Sequence, residues 1–155
     1  MMQYYNNGVL KLKKLDGYEF EGFRFDMHFY LDFVKPHYPL ISLCIYSDYR
    51  VGTKAEWIEE VKAMAIIAHN ENSPDPQEAT FAYELATIRW SKGWMLVSVY
   101  CDNQELVLLF ESGKEIHISN IYDDELSWEF VSVLPNNSNT IISCEGNGNI
   151  QYTEN

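Results

Sequence analysis

The sequence lacks the residue patterns that identify most enzymes and metal proteins. Its three cysteines, Cys44, Cys101 and Cys144, are far apart, and no Cys-x-x-Cys or His-x-x-x-His spacing offers a set of metal ligands. No serine lies in a Gly-x-Ser-x-Gly turn, and Gly146-x-Gly148 is not followed by the lysine and helix of a phosphate-binding loop. The sequence therefore predicts no particular reaction, no metal and no cofactor.

Long apolar runs and a targeting pattern are also missing. No stretch approaches the roughly 18 residues of a membrane-spanning helix, and residues 1–8 show no basic-then-apolar pattern of a signal peptide. Three isolated cysteines are typical of reduced core thiols rather than of a disulfide framework. We therefore expect a cytoplasmic protein that does not contact membranes.

Basic residues are scarce. Eleven lysines and arginines stand against 23 aspartates and glutamates, which gives a net charge of −12. Nucleic acid and anionic membranes bind positively charged surfaces, so this balance argues against both as partners. Residues 102–129 hold eight of the acids and the single base Lys114. A basic protein partner would be attracted to this charge, while the alternative is that acidity only keeps the protein in solution.

The apolar content is sufficient for a folded core. Of the 155 residues, 46% are apolar and 15% aromatic, which is typical of a globular chain. The length matches one ordinary domain, and no linker or repeat divides it. We therefore expect a single domain over residues 1–155, in which the tail at 146–155 frays or forms one weak hairpin.

Residues 23–34 alternate with a period of two. Because successive side chains of a strand point to opposite faces, this pattern predicts one long strand with one side in the core and the other in water. Such a two-faced strand is typical of an antiparallel sheet. The apolar face holds Phe23, Phe25, Met27, Phe29, Leu31 and Phe33, with Phe25 and Phe29 predicted as core. The polar face holds Arg24, Asp26, His28, Tyr30 and Asp32.

One helix is predicted, over residues 54–69. Thr53 and Glu56 form a capping-box pattern at its start, and Pro74 and Pro76 follow its end. Apolar side chains share one stripe, which indicates that Trp57 packs into the core. The acids on the opposite, outer face are Glu56, Glu59 and Glu60.

The remaining segments show strand and turn signals. Phe81, Tyr83 and Leu85 alternate and predict a strand that runs to Trp90. The other predicted strands are 9–15, 40–47, 94–100, 105–110, 115–121, 127–134 and 140–144. The predicted fold class is α+β, in which an antiparallel, twisted β-meander packs one main helix.

The order of these elements resembles that of a known family. Gly17-Tyr18-Glu19-Phe20, the long strand, a second strand, the helix with Trp57 and a run of strands follow one another over about the first 100 residues. This order resembles small immunity proteins encoded beside bacterial contact-dependent toxins of the wall-associated, repeat-containing type. The resemblance implies a cytosolic inhibitor that binds a secreted toxin domain, often a basic nuclease.

A basic partner is expected to meet exposed acids. The predicted contact residues are Glu56, Glu59 and Glu60 on the helix, and Asp123, Asp124 and Glu125 in a turn, with Tyr122 as an aromatic anchor. The sequence leaves open whether both groups lie on one side of the fold. The three consecutive acids lack the spacing of a calcium-binding loop.

An alternative site lies on the polar face of the predicted long strand. His28 stands between Asp26 and Tyr30, where a carboxylate can orient a general base. Arg24, Asp26, His28 and Tyr30 would then hold a small molecule or act as an enzyme. The simpler interpretation is a charged strand surface, so the leading expectation is a binding protein and not an enzyme.

Overall fold

The computed structural model describes residues 3–6, 9–67, 75–133 and 138–152. These residues form two six-stranded antiparallel sheets, two α-helices and a short 3₁₀ helix at Lys13–Leu15. The first sheet contains, from edge to edge, β1 (Gln3–Asn6), β2 (Val9–Leu12), β7 (Leu96–Cys101), β8 (Glu105–Phe110), β9 (Glu115–Ser119) and β6 (Tyr49–Val51). The second sheet contains β12 (Ile150–Tyr152), β11 (Ser138–Asn147), β10 (Ile121–Val133), β5 (Leu40–Ile45), β4 (His28–Val34) and β3 (Glu19–Asp26). The α+β class with antiparallel sheets is confirmed.

The core lies between the two sheets. In β4 every second side chain is buried, and Phe29, Leu31 and Phe33 are almost inaccessible to solvent. Phe20 of the second sheet and Phe110 of the first have ring centroids 6.1 Å apart, so the two inner faces pack directly on each other. Burying each such side chain stabilises the fold by about 1.5–3 kcal/mol.

The predicted long strand is wrong, because the segment forms a β-hairpin. In β3 and β4, Phe25 lies opposite Phe29 and Asp26 lies opposite His28. Met27 forms the turn with a φ of 62°, in the left-handed region. Residues that pair across two strands point to the same face of the sheet. Each pair here joins two odd-numbered or two even-numbered residues, so the chain folds back at Met27 without changing which residues share a face.

This turn changes the expected core. Phe29 is 2% exposed and contacts the core as predicted, but Phe25 is 48% exposed near the turn of the hairpin. Met27 is 83% exposed at the turn itself. The prediction that Phe25 belongs to the core is therefore wrong, because the strand pair ends beside it.

The prediction of a single main helix is also wrong. The first helix, α1 (Lys54–Ile67), starts where the capping box places it, and the Thr53 hydroxyl accepts the Glu56 backbone N–H at 3.2 Å. Its predicted last residues, 68–69, lie outside the described residues. Trp57 is buried, as expected.

The second helix, α2 (Pro76–Trp90), occupies the segment predicted as a strand. The Asp75 side chain accepts the backbone N–H groups of two residues in the first turn, and Pro76 needs no donor at the first helical position. Phe81, Leu85 and Ile88 are buried at helical spacing. The Phe81 ring packs 4.8 Å from that of Phe29, so α2 covers the core beside the hairpin.

Asn120 joins the two sheets at a corner. It lies between β9 and β10, where the chain passes from the first sheet to the second, and it is fully buried. Its side chain donates to the Asp102 carbonyl at 2.8 Å and accepts the Trp128 indole N–H at 2.9 Å. Its backbone N–H donates to the Gln104 carbonyl at 2.8 Å, and its carbonyl accepts the Ser127 hydroxyl at 2.7 Å. These hydrogen bonds hold both sheets to one residue.

We expect Asn120→Ala to lower the free energy of unfolding by about 2–4 kcal/mol, because the Trp128 indole and the Asp102 carbonyl lose their buried partner. Urea denaturation followed by tryptophan fluorescence measures the change. Asn103→Ala, in the neighbouring turn, is the control; its side chain is exposed, and the expected change is below about 0.5 kcal/mol. Equal unfolding midpoints for the two variants would contradict this role of Asn120.

Candidate functional site

Acidic residues gather at one end of the two sheets. We call this end the acidic pole; it consists of the hairpin turn 26–28, the corner 46–48, the turn 102–105, the corner 119–125 and the end of β11 at 145–147. Its acids are Asp26, Asp48, Asp102, Glu105, Asp123, Asp124, Glu125 and Glu145. Asp75 and Glu78, at the start of α2, act electrostatically on Tyr49 of β6 and add to the negative charge nearby.

Strand pairing and hydrogen bonds bring these segments together. The Ser119 backbone N–H donates to the Asp48 carbonyl at 2.9 Å, and that of Asn120 donates to the Gln104 carbonyl at 2.8 Å. Because β5 pairs with both β4 and β10, the hairpin turn before β4 lies at the same end as the start of β10. The acids that are scattered along the sequence therefore share one end of the fold.

Few bases compensate this charge. Arg50 is held by a bidentate salt bridge to Glu105, and Lys54 begins α1 nearby. Most other lysines lie at the opposite end of the sheets, in the 3₁₀ helix or in the connections between elements there. They are Lys13, Lys14, Lys35, Lys92 and Lys114. The chain is thus electrically polar along the strand direction.

The predicted acidic turn is a bulge in β10. Ile121 lies opposite Asn147 of β11, and the next pair joins Leu126 to Glu145, so the residues between them have too few partners and project outward. A side chain at Gly146 would collide with the carbonyl oxygens of Tyr122 and Asp124. The bulge therefore depends on glycine at this position. Asp123, Asp124 and Glu125 are exposed as expected, but they lie in a strand and not in a turn.

We expect Gly146→Ala to destabilise the protein by about 1–3 kcal/mol, because the added methyl group forces the bulge away from β11. Thermal or urea unfolding measures the loss, and NMR chemical shifts of 122–126 report the displacement. Gly22→Ala is the control, since nothing lies within 4 Å of its added Cβ. Unchanged shifts in the bulge of the Gly146 variant would disprove this packing.

A cleft of about 250 Å³ lies beside the bulge, and we call it the bulge cleft. Its lining residues are His28, Tyr46, Tyr122, Asp124, Glu125 and Leu126. Tyr122, Asp124 and Glu125 belong to the predicted partner-binding group, whereas His28 belongs to the alternative ligand face. The structure therefore brings parts of both predicted sites into one cleft.

Tyr46 is a fixed wall of this cleft. Its hydroxyl donates to a Glu129 carboxylate oxygen at 3.0 Å, and its backbone N–H donates to the Ser127 carbonyl at 3.0 Å. Its ring packs edge-on against that of His28 at 4.9 Å. Burial, together with the hydrogen bond to Glu129, raises the pKa of Tyr46 well above its usual range. The phenol is therefore neutral at physiological pH.

The rest of the alternative ligand face lies on two strands instead of one. Arg24 of β3 donates to Asp32 at 2.9 Å, and its guanidinium lies 4.8 Å from the ring centre of Tyr30. Asp26 and His28 flank the hairpin turn. Arg24 and Tyr30 thus bind each other, and only His28 of this set lines the bulge cleft.

The thiols are poor nucleophiles. Burial raises the pKa of Cys44 to about 11, and the neighbouring charge of Glu129 adds to this shift. Burial also raises the pKa of Cys101 to about 12 and that of Cys144 to about 11. A thiol attacks as the thiolate, so these groups are inert at neutral pH. Within the described part of the chain, no group of three or more His, Cys, Asp or Glu residues is placed to hold a metal ion.

The acids of α1 lie apart from the bulge cleft. Glu56 and Glu59 are exposed, and Glu59 forms a surface pair with Lys62 at 3.4 Å. Glu60 is partly buried and shares a hydrogen bond with the buried Glu84 of α2, which in turn accepts from Lys114 at 3.2 Å. Glu60 is therefore held in an internal network, which makes it the weakest of the predicted contact residues.

A second, larger groove lies between the two acidic groups. It has a volume of about 510 Å³, and Lys54 and Trp57 of α1 face Ile121 of β10 across it. The salt-bridged Arg50 and Glu105 also line it, together with His117. Glu56, Glu59 and Glu60 line neither this groove nor the bulge cleft.

We expect Glu60→Gln to stabilise the protein at about pH 7 and to have little effect at about pH 4. Burial, and then the hydrogen bond to and charge of Glu84, raise the pKa of Glu60 above its usual value of 4.5. The folded state therefore holds this proton more tightly than the unfolded state, and the associated stability is lost as pH rises through the raised pKa. Thermal unfolding at both pH values tests the prediction.

The matched control is Glu59→Gln, which removes the same charge one residue away from an exposed position. It should change the melting temperature little at either pH, because exposed ion pairs contribute little. A Glu60→Gln variant that behaves like this control would show that the network with Glu84 has no energetic effect.

Comparison of the chain with protein-family models, with curated proteins and with solved structures gives no match. No helix in the described ranges is long and apolar enough to cross a membrane. The arguments for a function therefore come from the residues of the acidic pole.

Proposed function

We propose that this chain is an acidic binding protein that neutralises a basic protein partner, as an immunity protein neutralises a toxin domain. The observation that supports the proposal best is the acidic pole. Acids from five separate segments of the chain meet at one end of the fold, where they outnumber the nearby bases Arg24, Arg50 and Lys54. A charge that served solubility alone would need no such concentration.

The acids of the bulge are available to a partner. Asp123, Asp124 and Glu125 are exposed, and none of them forms an ion pair with another described residue. A concentrated negative field increases the rate at which a basic protein meets this surface and favours the orientation that brings its positive side forward. These effects suit a protein that must capture a partner quickly.

Aromatic and apolar side chains supply contact area within the charged surface. Tyr122 is 37% exposed at the bulge, and Ile121 is half-exposed beside it. Interfaces gain most of their binding energy from a few such anchors, which are surrounded by polar groups that exclude water. Tyr122 therefore keeps its proposed role as an anchor.

A small molecule held at the bulge cleft is the second candidate. The position of His28 in the lining supports it, because an imidazole donates and accepts hydrogen bonds. Arg24 offers this candidate less support, since it already binds Asp32 and Tyr30. Of the residues on the polar face, only His28 therefore supports a small-molecule site.

The partner test uses the polypeptide encoded by the gene adjacent to this one. If the chain is an immunity protein, that product contains a basic domain and forms a stable complex with it, with a dissociation constant below about 1 µM. Isothermal calorimetry and co-elution measure the complex, and rescue of growth measures neutralisation. Absence of a complex in low salt would overturn the immunity proposal.

For this complex, we expect the triple variant Asp123→Asn, Asp124→Asn, Glu125→Gln to lower the association rate by about tenfold and to flatten its dependence on salt. The control variant Glu19→Gln, Glu21→Gln, Glu111→Gln changes the net charge by the same amount at positions outside the acidic pole and outside the predicted contact residues. Its rate should stay within about twofold of wild type. Equal rates for the two variants would show that the bulge is not the contact surface.

A further inference from the structure

We infer that the bulge cleft is a pocket for one arginine side chain of the protein partner. This inference rests on the proposed function, because it specifies how a basic partner would engage the acidic pole. The size of the cleft supports it first. At about 250 Å³ it is smaller than the roughly 300–1,000 Å³ of sites for drug-sized ligands, and it suits a single long side chain.

The walls match the chemistry of a guanidinium group. Tyr46 and Tyr122 offer aromatic rings, which attract a cation to their faces. Asp124 and Glu125 add two carboxylates, and Leu126 offers an apolar contact for the methylene stem. A planar guanidinium stacks on rings and binds carboxylates through paired N–H groups, whereas an ammonium does neither.

The acidic side chains of the cleft have capacity for an incoming donor. No lysine or arginine lines the cleft, and within the described ranges the Glu125 carboxylate accepts no hydrogen bond. Asp124 uses one oxygen to accept the backbone N–H of Glu125 at 2.8 Å. The arginine of the same face, Arg24, is held by Asp32. The charge of the cleft is therefore left for a partner to neutralise.

The cleft is also preorganised. Tyr46 is fixed by its hydroxyl and its backbone N–H, and its ring packs against His28. The approach of the bulge to Gly146 sets the position of Tyr122 and Asp124. A rigid pocket loses little conformational entropy on binding, which favours affinity for a side chain of the right shape.

The experiment titrates the full chain with N-acetyl-arginine amide and follows its NMR resonances. We expect shifts in the signals of Tyr46, Tyr122 and Asp124, with a dissociation constant of about 1–10 mM. N-acetyl-citrulline amide, which has the same shape without the charge, should cause no such shifts. N-acetyl-lysine amide should bind at least about threefold more weakly. Equal binding of the arginine and lysine probes, or arginine shifts confined to other residues, would overturn the inference.

Two variants test the lining. Tyr122→Leu and Glu125→Gln should each weaken binding of the arginine probe by about fivefold or more. The controls are Tyr83→Leu, at an exposed tyrosine of α2, and Glu111→Gln in the turn after β8; both should bind as wild type. Unchanged melting temperatures show that each variant is folded. Equal losses in variants and controls would refute the pocket.

The outcome separates this inference from the proposed function. If the arginine probe leaves the cleft untouched while the triple variant of the bulge still slows association of the protein partner, the arginine pocket is wrong and the proposed function stands. If the probe binds in the cleft and no protein partner forms a complex, the immunity proposal fails and the guanidinium site remains.

Discussion

The corner at Asn120 is the constraint on which the geometry of the acidic pole depends. Apolar burial holds the two sheets together, but it is not directional and does not set where a strand changes sheets. Hydrogen bonds are directional, and those of Asn120 join Asp102, Gln104 and Trp128 to one buried residue. The acidic bulge begins two residues later. A shift at this corner would therefore move the turn at 102–105 and the bulge relative to each other, and with them the charged surface.

The position of the acids has an energetic cost that the core offsets. Like charges at one end repel each other and weaken the compact state, although turns and bulges keep them in high-dielectric solvent where the repulsion is small. Beneath the hairpin and α2, the rings of Phe29, Tyr49 and Phe81 pack against one another, with Tyr49 stacked on Phe81 at 4.2 Å. This aromatic cluster joins β4, β6 and α2, beside which Asp26, Asp48 and Asp75 lie. Stability and charge are thus located in adjacent but separate layers, and the surface acids can vary without altering the core.

Local patterns in the sequence predict the fold class correctly. They assign the wrong element where the same spacing of apolar residues fits two different structures. The alternation from 23 to 34 correctly assigns Phe29 and Phe33 to the core. However, a hairpin that turns at a single residue, as this one does at Met27, shows the same alternation as one long strand. In α2, Phe81 and Leu85 fit both a strand and a helix, and Asp75-Pro76 is the start signal that distinguishes them. The identity of the acids is visible in the sequence. The position of His28 beside them is not visible, because it depends on the long-range pairing of β4 with β5 and of β5 with β10.

That pairing unites two interpretations that the sequence leaves separate. The acidic segment and the polar face of the hairpin both reach the bulge cleft, so a partner that packed on Tyr122 would also meet His28 and Tyr46. The two parts act over different distances. In the proposed complex, the net charge of the pole would act beyond contact and mainly raise the rate of association, whereas the cleft would act only at contact and set how slowly the partner leaves. Salt screens the first effect and affects a partly enclosed pocket much less. A complex of this kind would therefore form more slowly in high salt while its lifetime changed little, which distinguishes a built pocket from a surface that is merely acidic.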